Sequence, residues 1–276
     1  MSVQEAKPAK HSDKKEEPAR RRPLPVPLQA NLEIDKDGPV ITACAPLYRQ
    51  VGFFIRRRLI DNYWKPGTML PSETDLGKEL GVSQGTVRKA LGEMVAENLL
   101  YRRQGLGTFV CEHNDGRALS VFFNLQRDDG TRVLPESTTL SCSVEMPSCL
   151  ERDQLCLHGP AKVTRVHRIR TLDGVPTIVE MVSVPTKLFP DLGRDGTLPT
   201  QLYHHYQAAY GITVAKSFER VRAVVASEED AGHLAVDPGT PLLEIECIAF
   251  GMDAKPLELR VSRCETSTYR FRAERG

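Results

Sequence analysis

The sequence predicts an α+β protein in which an N-terminal winged helix-turn-helix precedes a second α+β domain built on a mainly antiparallel sheet. Apolar residues recur at helical spacing between residues 46 and 96, and two short strand-like segments then flank a Gly-rich tip. Beyond residue 118 the pattern changes to alternating apolar and polar positions, interrupted by short helices. A length of 276 residues is enough for two domains, each with its own core.

Four segments follow from this pattern: a tail (1–44), a winged helix (45–111), a linker (112–118) and a sheet domain (119–273). The tail is rich in Pro and in alternating charge, so we expect it to be disordered, because it cannot bury enough apolar surface to offset the entropy of ordering. The linker is polar and turn-forming, which is typical of a domain boundary.

A first helix is predicted over residues 46–63, and Pro66-Gly67 ends the connection after it. Its apolar positions fall on one side, as in a helix packed against a core: Leu47, Val51, Phe54, Ile55 and Leu59.

Two further helices joined by a three-residue turn form the helix-turn-helix arrangement. Ser72 caps the first of them, with Asp75 three residues on, and Gly81 ends it because a residue without Cβ adopts the left-handed conformation easily. Ser83 caps the second helix, whose apolar face contains Val87, Leu91, Met94 and Val95.

The second helix and the strand pair after it carry exposed polar groups. Gln84, Gly85 and Arg88 lie at the N-terminal end of the helix, where a recognition helix meets base edges and phosphates. Residues 99–101 and 108–110 predict two strands, whose tip directs basic side chains at the DNA backbone or minor groove. The alternative is a three-helix domain whose charges only form a solvated face. The predicted DNA-binding residues are Ser72, Thr74, Ser83, Gln84, Gly85, Thr86, Arg88, Arg102, Arg103, Gln104, Gly105 and Gly107.

The near-zero net charge hides an asymmetry between the two halves. Residues 46–111 contain ten Lys and Arg against six Asp and Glu, whereas residues 112–276 contain 19 against 23. A basic module joined to an acidic one suits a DNA reader with a body that does not bind DNA. Two groups of arginines allow two interpretations each. The Arg20-Arg21-Arg22 triplet either lies over DNA phosphates or belongs to a passive tail, and Arg57 or Arg58 either contacts the DNA backbone or belongs to a solvated face.

Composition also bounds the compartment. No apolar run reaches the roughly 20 residues of a membrane span, and no secretion signal is visible, so we expect a cytoplasmic protein with no membrane partner. Seven cysteines without a Cys-x-x-Cys pair favour reduced thiols. Cys142, Cys149 and Cys156 are spaced seven apart, which suggests a redox or metal role, but we expect small buried thiols instead.

The second domain is predicted from period-two patterns and from helix caps such as Ser227, with Asp230 three residues on. Helices are predicted at 150–157, 198–210 and 227–234. Strands are predicted at 121–123, 138–146, 162–171, 176–184, 213–226, 241–250 and 257–263.

A candidate pocket lies on one predicted hairpin. Arg168 and Arg170 are two apart on a strand, so both side chains leave the same face. A two-residue loop would leave Glu180 on the opposite face, whereas a three-residue loop (173–175) pairs Leu172 with Pro176 and Arg168 with Glu180. We predict the three-residue loop, because Pro176 then begins its strand. Two guanidiniums beside one carboxylate suit an anion, and an exposed salt bridge is the alternative on spacing alone.

Three motifs in the N-terminal domain stand in a familiar order: Leu-Pro-Ser-Glu (70–73), Val-Ser-x-x-Thr-Val-Arg (82–88) and Gly-x-Gly-Thr-Phe-Val (105–110). They resemble the winged helix of GntR-type bacterial regulators. The sequence departs from the family at Thr74, usually basic, at Gln84, usually Arg, and at Gly85, usually polar. Losing two cations weakens phosphate binding, while Gln84 still suits adenine, so we expect an operator other than the family's commonest one.

Looser motifs span residues 119–271 in order: Arg-Ile-Arg (168–170), Gly-Val-Pro (174–176) with Glu180, Leu-Tyr (202–203), Pro-Leu-Leu (241–243) and Lys-Pro-Leu-Glu (255–258). They resemble the effector-binding UTRA domain of the HutC branch, which has a chorismate-lyase-like fold. Gln201 stands where members that bind phosphosugars have Ser, and Cys264 where an aromatic hydroxyl is common, so the effector lacks a phosphate or none is bound. The effector-binding residues implied by this resemblance are Arg168, Arg170, Glu180, Gln201, Tyr203, Glu258 and Cys264.

The resemblance implies a homodimeric repressor that binds a pseudo-palindromic operator and releases it when a small anionic metabolite, a carboxylate or sugar phosphate, binds the second domain. Signals would pass through the linker at 112–118. No metal cluster, nucleotide loop or activated nucleophile is visible, so we expect no cofactor and no enzyme activity. The alternatives are a DNA-binding regulator without an effector, of the kind found on plasmids, and a lyase-like enzyme.

Overall fold

The computed structural model describes residues 45–113, 124–194, 196 and 198–272. The predicted tail (1–44), the strand predicted at 121–123 and most of the predicted linker (112–118) lie outside the described residues. No helix in the described part is both long enough and apolar enough to cross a membrane.

The N-terminal domain is built on three helices whose predicted caps are confirmed. Ser72 Oγ accepts a hydrogen bond from Asp75 N at 3.1 Å, and Ser83 Oγ accepts one from Thr86 N at 3.2 Å. Gly81 ends the second helix in the left-handed region, with φ of 67°. The helices are α1 (Leu47–Ile60), α2 (Glu73–Leu80) and α3 (Gln84–Ala96).

The first helix differs from its prediction in length and in one arginine. It ends at Ile60 rather than at residue 63, because the chain turns at Asn62, where φ is 52°. Arg58 is only 8% exposed, pairs with Glu79 at 2.7 Å and lies 5.1 Å from the Trp64 ring centroid. The predicted alternatives for Arg58, a DNA contact or a solvated face, are therefore both wrong.

The two strands of the wing follow α3. β1 (Leu100–Arg103) pairs antiparallel with β2 (Gly107–Val110), so that Arg102 lies opposite Thr108. Gly105, with φ of 74°, and Gly107, with φ of 139°, make the tip, where a side chain would be strained. The predicted wing is confirmed, one residue longer at each strand than the sequence indicated.

A six-stranded antiparallel sheet forms the second domain, in the order β4-β5-β6-β9-β8-β7. Its strands match the predicted ones within a few residues: β4 (Glu136–Glu145), β5 (Val163–Leu172), β6 (Val175–Pro185), β7 (Val214–Val225), β8 (Pro241–Gly251) and β9 (Pro256–Cys264).

Three helices and a small strand pair cover this sheet. Helix α5 (Leu202–Tyr210) packs on the face that carries Val166 and Val182, whereas α6 (Glu228–Leu234) packs on the opposite face against Val179. The short α4 (Cys149–Gln154) precedes β5. The Ser227 cap of α6 is confirmed, and its partner Asp230 completes a capping box.

The hairpin between β5 and β6 corrects the predicted loop while keeping the pairing that matters. Leu172 lies opposite Val175, so the loop is the two residues Asp173 and Gly174, both with positive φ as a type I′ turn requires. A register shift after Arg170 then restores the pairing of Arg168 with Glu180. The extra residue is thus placed in a bulge rather than in the loop.

One strand pair was not predicted. β3 (Leu125–Arg127) pairs with β10 (Tyr269–Phe271) and closes over the sheet near Ile178 and Cys264. Both strands have three residues, too few for a period-two signal to stand out.

Candidate functional site

The predicted DNA-binding residues share one exposed surface of the N-terminal domain. All are exposed except Thr86, which is half-buried and whose backbone N–H donates to Ser83 Oγ at 3.2 Å. This surface contains the N-terminal end of α3, whose free N–H groups favour anions.

One carboxylate links α2, α3 and the wing. Glu73 Oε2 accepts hydrogen bonds from Arg88 Nε at 2.8 Å and from Gln84 Nε2 at 3.4 Å, and its Oε1 lies 3.5 Å from Arg102 Nη2. The side chains of Arg88 and Arg102 remain 61% and 46% exposed. Glu73 therefore holds three polar side chains at one place on the surface while leaving them accessible to a ligand.

The wing side chains are arranged differently. The Arg103 guanidinium lies over the rings of Tyr101 and Phe109, at 5.4 and 5.0 Å from their centroids. Stacking orders the guanidinium without neutralising its charge. Gln104 is exposed at the tip beside Gly105.

The second candidate site is a buried ion cluster on the sheet face under α5. Arg168 Nε donates to Glu180 Oε2 at 2.5 Å, and Nη1 of both Arg170 and Arg260 lies 3.5 Å from Glu180 Oε1. Arg260 Nη2 lies 2.7 Å from Glu258 Oε1. Arg168, Glu180 and Glu258 are 1%, 2% and 0% exposed, so the predicted alternative of an exposed salt bridge is wrong.

Burial and the three cations pull the titration of this cluster in opposite directions. Burial raises the pKa of Glu180, but the charges of Arg168, Arg260 and Arg170 outweigh it and hold that pKa well below its usual range. Burial, with Arg168 and Arg260 alongside, lowers the pKa of Arg170 to about 10, so Arg170 stays cationic at neutral pH. Glu180 and Arg170 are therefore both charged at neutral pH.

Two tyrosines of α5 bind the second carboxylate. Tyr203 Oη donates to Glu258 Oε1 at 3.2 Å, and Tyr206 Oη donates to Glu258 Oε2 at 2.7 Å. Burial, followed by the charge of Glu258, raises the pKa of both phenols well above the usual value, so they remain donors. Helix α5 is thus tied to the ion cluster through Glu258.

A small cavity of about 40 Å³ adjoins the cluster beneath β3 and β10. Of the seven predicted effector residues, Arg170, Glu180, Tyr203 and Cys264 line it. Arg168 and Glu258 lie in the ion cluster behind it, whereas Gln201 is the N-cap of α5 and makes no side-chain cap bond. The structure thus brings six of the seven residues together, and Gln201 follows Thr200, whose carbonyl oxygen accepts a hydrogen bond from Arg168 Nη1 at 3.3 Å.

Sequence reasoning missed Arg260 and Ser262, which both line the cavity and contact Glu180. Their positions follow from the period of two along β9, because Glu258, Arg260, Ser262 and Cys264 alternate onto one face. It also missed Glu219 of β7, which lines the cavity from the edge of the sheet and whose pKa is raised by burial.

Helix α5 also reaches the segment that leaves the wing. Gln207 Nε2 donates to Cys111 O at 3.2 Å, and Gln207 Oε1 accepts from His113 N at 2.9 Å. His204 Nδ1, one turn earlier, contacts the His113 carbonyl oxygen. One short helix therefore contacts both the ion cluster, through Tyr203 and Tyr206, and the start of the interdomain segment, through His204 and Gln207.

The cysteines and the metal-ligating residues also depart from expectation. Cys142 is half-buried as a small thiol, but Cys149 and Cys156 are exposed, so the buried-thiol prediction is wrong for those two. No metal site was predicted, yet the fold brings His167, Glu229 and His233 together, with donor atoms within 4.8 Å of one another. His167 is more than 60 residues from Glu229 and His233 in the chain, and the packing of α6 on the sheet makes the three neighbours.

Two family models match this chain: "Bacterial regulatory proteins, gntR family" over residues 47–110 and "UTRA domain" over residues 132–270. The chain is 25% identical over 242 residues to the HTH-type transcriptional repressor NagR of Bacillus subtilis (strain 168), covering 87% of this chain and 97% of that protein. It is 28% identical over 227 residues to MngR of Escherichia coli (strain K12), the mannosyl-D-glycerate transport/metabolism system repressor, covering 82% and 94%.

A crystal structure of the ligand-binding domain of a GntR-family regulator from Bordetella bronchiseptica is similar in fold, with a TM-score of 0.52 and 25% identity. The structural match covers 55% of this chain and 96% of the crystallised domain. The exposed polar surface at α3 and the wing, the buried ion cluster and the two family matches all indicate the same kind of protein. The chain belongs to the GntR family of bacterial regulatory proteins with a UTRA domain, and it is a DNA-binding transcriptional regulator modulated by an effector rather than an enzyme.

Proposed function

We propose that this protein is a homodimeric cytoplasmic repressor that releases its operator when a small anionic metabolite binds beside Arg170 and Arg260. The observation that carries the proposal is the continuous connection from that cavity, through Glu258 and α5, to the segment after the wing. The names of NagR and MngR, both repressors, support repression rather than activation.

Charge supports an anion as the effector. The cluster contains three guanidiniums, those of Arg168, Arg170 and Arg260, against the two carboxylates of Glu180 and Glu258. Nη2 of Arg168 is buried and has no hydrogen-bond acceptor among the residues that the structure describes. A carboxylate suits such donors because guanidinium binds it through two parallel hydrogen bonds.

The size of the cavity implies movement. A volume of about 40 Å³ holds little more than one or two waters and is far below the several hundred Å³ of ordinary ligand sites. The ligand therefore enters only if the side chains around it separate, and Tyr203 lines the cavity while also binding Glu258. Displacement of Tyr203 moves α5 and, with it, the contacts of Gln207 to Cys111.

The coupling required is modest. Effectors typically change the affinity of a second site by about 1–3 kcal/mol, and the effect is reciprocal. Three hydrogen bonds from one helix turn to residues 111 and 113 are enough to transmit a change of that size. Operator DNA should accordingly weaken effector binding by the same factor.

Two copies are needed for a two-fold operator. The sheet offers surfaces for pairing at both edges, since β4 exposes Leu140 and Val144, and β7 exposes Phe218, Val221 and Val225. Apolar edge strands are normally covered in native proteins. We place the dimer contact in this domain, which leaves the winged helices free to reach two half-sites.

Calorimetric titration tests the proposal. Carboxylates and sugar phosphates that raise the melting temperature of the full chain are titrated with and without operator duplex. We expect weaker effector binding in the presence of operator, and loss of binding in Arg170→Ala with operator affinity retained. Arg194→Ala, which removes a 75% exposed guanidinium paired with Asp191 three residues earlier, is the matched control.

The small cavity also favours a second candidate, a DNA-binding regulator without an effector. The arginines and glutamates of the ion cluster beside the cavity already form ion pairs with one another, so a ligand would find few unpaired charges. If no compound shifts the melting temperature and Arg170→Ala leaves regulation unchanged, this second function replaces the first.

A further inference from the structure

Three metal-ligating side chains meet on the sheet face opposite the ion cluster. His167 of β5 neighbours Arg168 in sequence but leaves the other side of the strand, as alternate strand residues do. Glu229 and His233 are one turn apart on α6, so both project from one side of that helix. The centroids of the His167 and His233 rings lie 5.4 Å apart, with 82° between the ring planes. His233 Nε2 lies 3.8 Å from Glu229 Oε1.

We propose that His167, Glu229 and His233 bind a divalent transition-metal ion of the zinc class, with water completing the coordination. Two imidazoles and one carboxylate are a ligand set that Zn²⁺ uses in proteins. Carboxylate-only sites favour Mg²⁺ or Ca²⁺, whereas two imidazoles favour Zn²⁺, Ni²⁺, Co²⁺ or Cu²⁺. This inference is independent of the proposed effector and of the DNA-binding surface.

The donors are close to the spacing that coordination needs. A tetrahedral ion with bonds of about 2.0–2.1 Å keeps its ligand atoms roughly 3.4 Å apart. The three donors lie within 4.8 Å of one another, so closing their separations by about 1.4 Å or less brings them to an ion. The Glu229 side chain, 74% exposed, has the freedom to make that shift, and His233 is 29% exposed.

The charged groups around the three proposed ligands leave them free to bind an ion. Asp230 is held by Arg263 Nη1 at 3.2 Å and by the Ser227 cap, so it does not compete for the ion. No Lys or Arg of the described ranges forms a salt bridge with Glu229, whose Oε1 faces His233 Nε2. Ala231 and Leu234 anchor α6 through apolar packing, so the helix is held in place without contributions from the three proposed metal ligands.

An ion at this position would join α6 directly to β5. Because the folded chain brings the three ligands together and the unfolded chain does not, metal binding should stabilise the fold according to its occupancy. The stabilisation would act on the strand that also carries Arg168.

Zinc titration of the full chain tests the site. We would use a Cys149→Ser, Cys156→Ser background, because both exposed thiols bind Zn²⁺ themselves. One equivalent of Zn²⁺ should bind per chain and raise the melting temperature, and Co²⁺ should give the absorption spectrum of a tetrahedral nitrogen and oxygen site. Removing outer-shell partners alone costs about 10–100-fold in metal affinity, so His167→Ala should cost at least about 100-fold.

Glu229→Gln and His158→Ala complete the design. Glu229→Gln removes the anionic ligand at an exposed position and leaves folding intact, so its affinity should fall while its melting temperature without metal is unchanged. His158→Ala removes an exposed histidine outside the cluster and should bind Zn²⁺ as the parent does. Absence of Zn²⁺ binding, or equal binding by the parent and by Glu229→Gln and His167→Ala, would overturn the site.

Discussion

Gln207 Nε2 of α5 donates a hydrogen bond to the carbonyl oxygen of Cys111, at 3.2 Å, and so fixes this helix to the last residue before the interdomain segment. The Gln207 side chain is buried, and its Oε1 accepts from His113 N in addition. A single side chain thus holds two backbone groups that belong to the N-terminal half. This makes Gln207 the most direct place to test how the two domains communicate.

Gln207→Ala should separate effector binding from operator release. The substitution leaves the ion cluster in place but leaves a buried N–H and carbonyl without their present partner, at a cost of about 1–3 kcal/mol of unfolding free energy. We expect urea denaturation to show that loss, while the ligands found by thermal shift still bind and no longer change operator affinity. Gln154→Ala, which loses only a bond from an exposed arginine, serves as the control. Retained coupling in Gln207→Ala would contradict the proposed route.

Glu180→Gln should be strongly destabilising. The carboxylate is 2% exposed and faces three guanidiniums, so removing its charge leaves buried cations uncompensated. Breaking a buried pair in this way typically costs about 3–5 kcal/mol. Denaturation in urea should show a large fall in midpoint, compared with a change of about 0–1 kcal/mol for Glu145→Gln, whose side chain is 45% exposed. Similar stabilities for the two variants would mean that the cluster rearranges without loss.

The contribution of the Glu180 carboxylate to stability should depend on pH. Burial raises the pKa of Glu180, but Arg168, Arg260 and Arg170 hold it below its usual range in the folded state. Its stabilisation is therefore fully present above the unfolded value of about 4.3 and is lost as pH falls below it. The stability difference between the wild type and Glu180→Gln should shrink as pH falls from 5 to 3. A difference that stays constant over that range would mean that the pKa of Glu180 is the same in the folded and unfolded states, which contradicts the prediction.

The β5–β6 hairpin shows both the reach and the limit of sequence reasoning. The predicted register pairs Arg168 with Glu180, and the structure has this pairing although the loop that was expected to set it is different. The turn was assigned three residues because Pro176 suits a strand start, whereas Asp173-Gly174 adopts a two-residue turn and a bulge absorbs the odd residue. A bulge has no composition signal of its own, since its position depends on packing against neighbouring strands.

Burial of charge was the second limit. Arg58 reads as one of three surface arginines, yet Glu79 and the ring of Trp64 enclose it. Arg260 and Ser262 were within reach, because they alternate with Glu258 on β9. Local caps such as Ser83, by contrast, were predicted correctly because their hydrogen bonds depend on residues three positions apart.

Arg102→Ala tests the reading surface. Arg102 Nη2 lies 3.5 Å from Glu73 Oε1, and its side chain is 46% exposed on the wing, where it can exchange a carboxylate for a DNA phosphate. Loss of one phosphate contact should lower the slope of log affinity against log salt by about 0.9 and weaken binding to all sequences alike. Fluorescence anisotropy with operator and random duplexes at several salt concentrations measures both quantities. Arg194→Ala, an exposed arginine of the other domain, should leave the slope unchanged. If Arg102→Ala weakens only the operator and keeps the slope, Arg102 reads bases rather than phosphates.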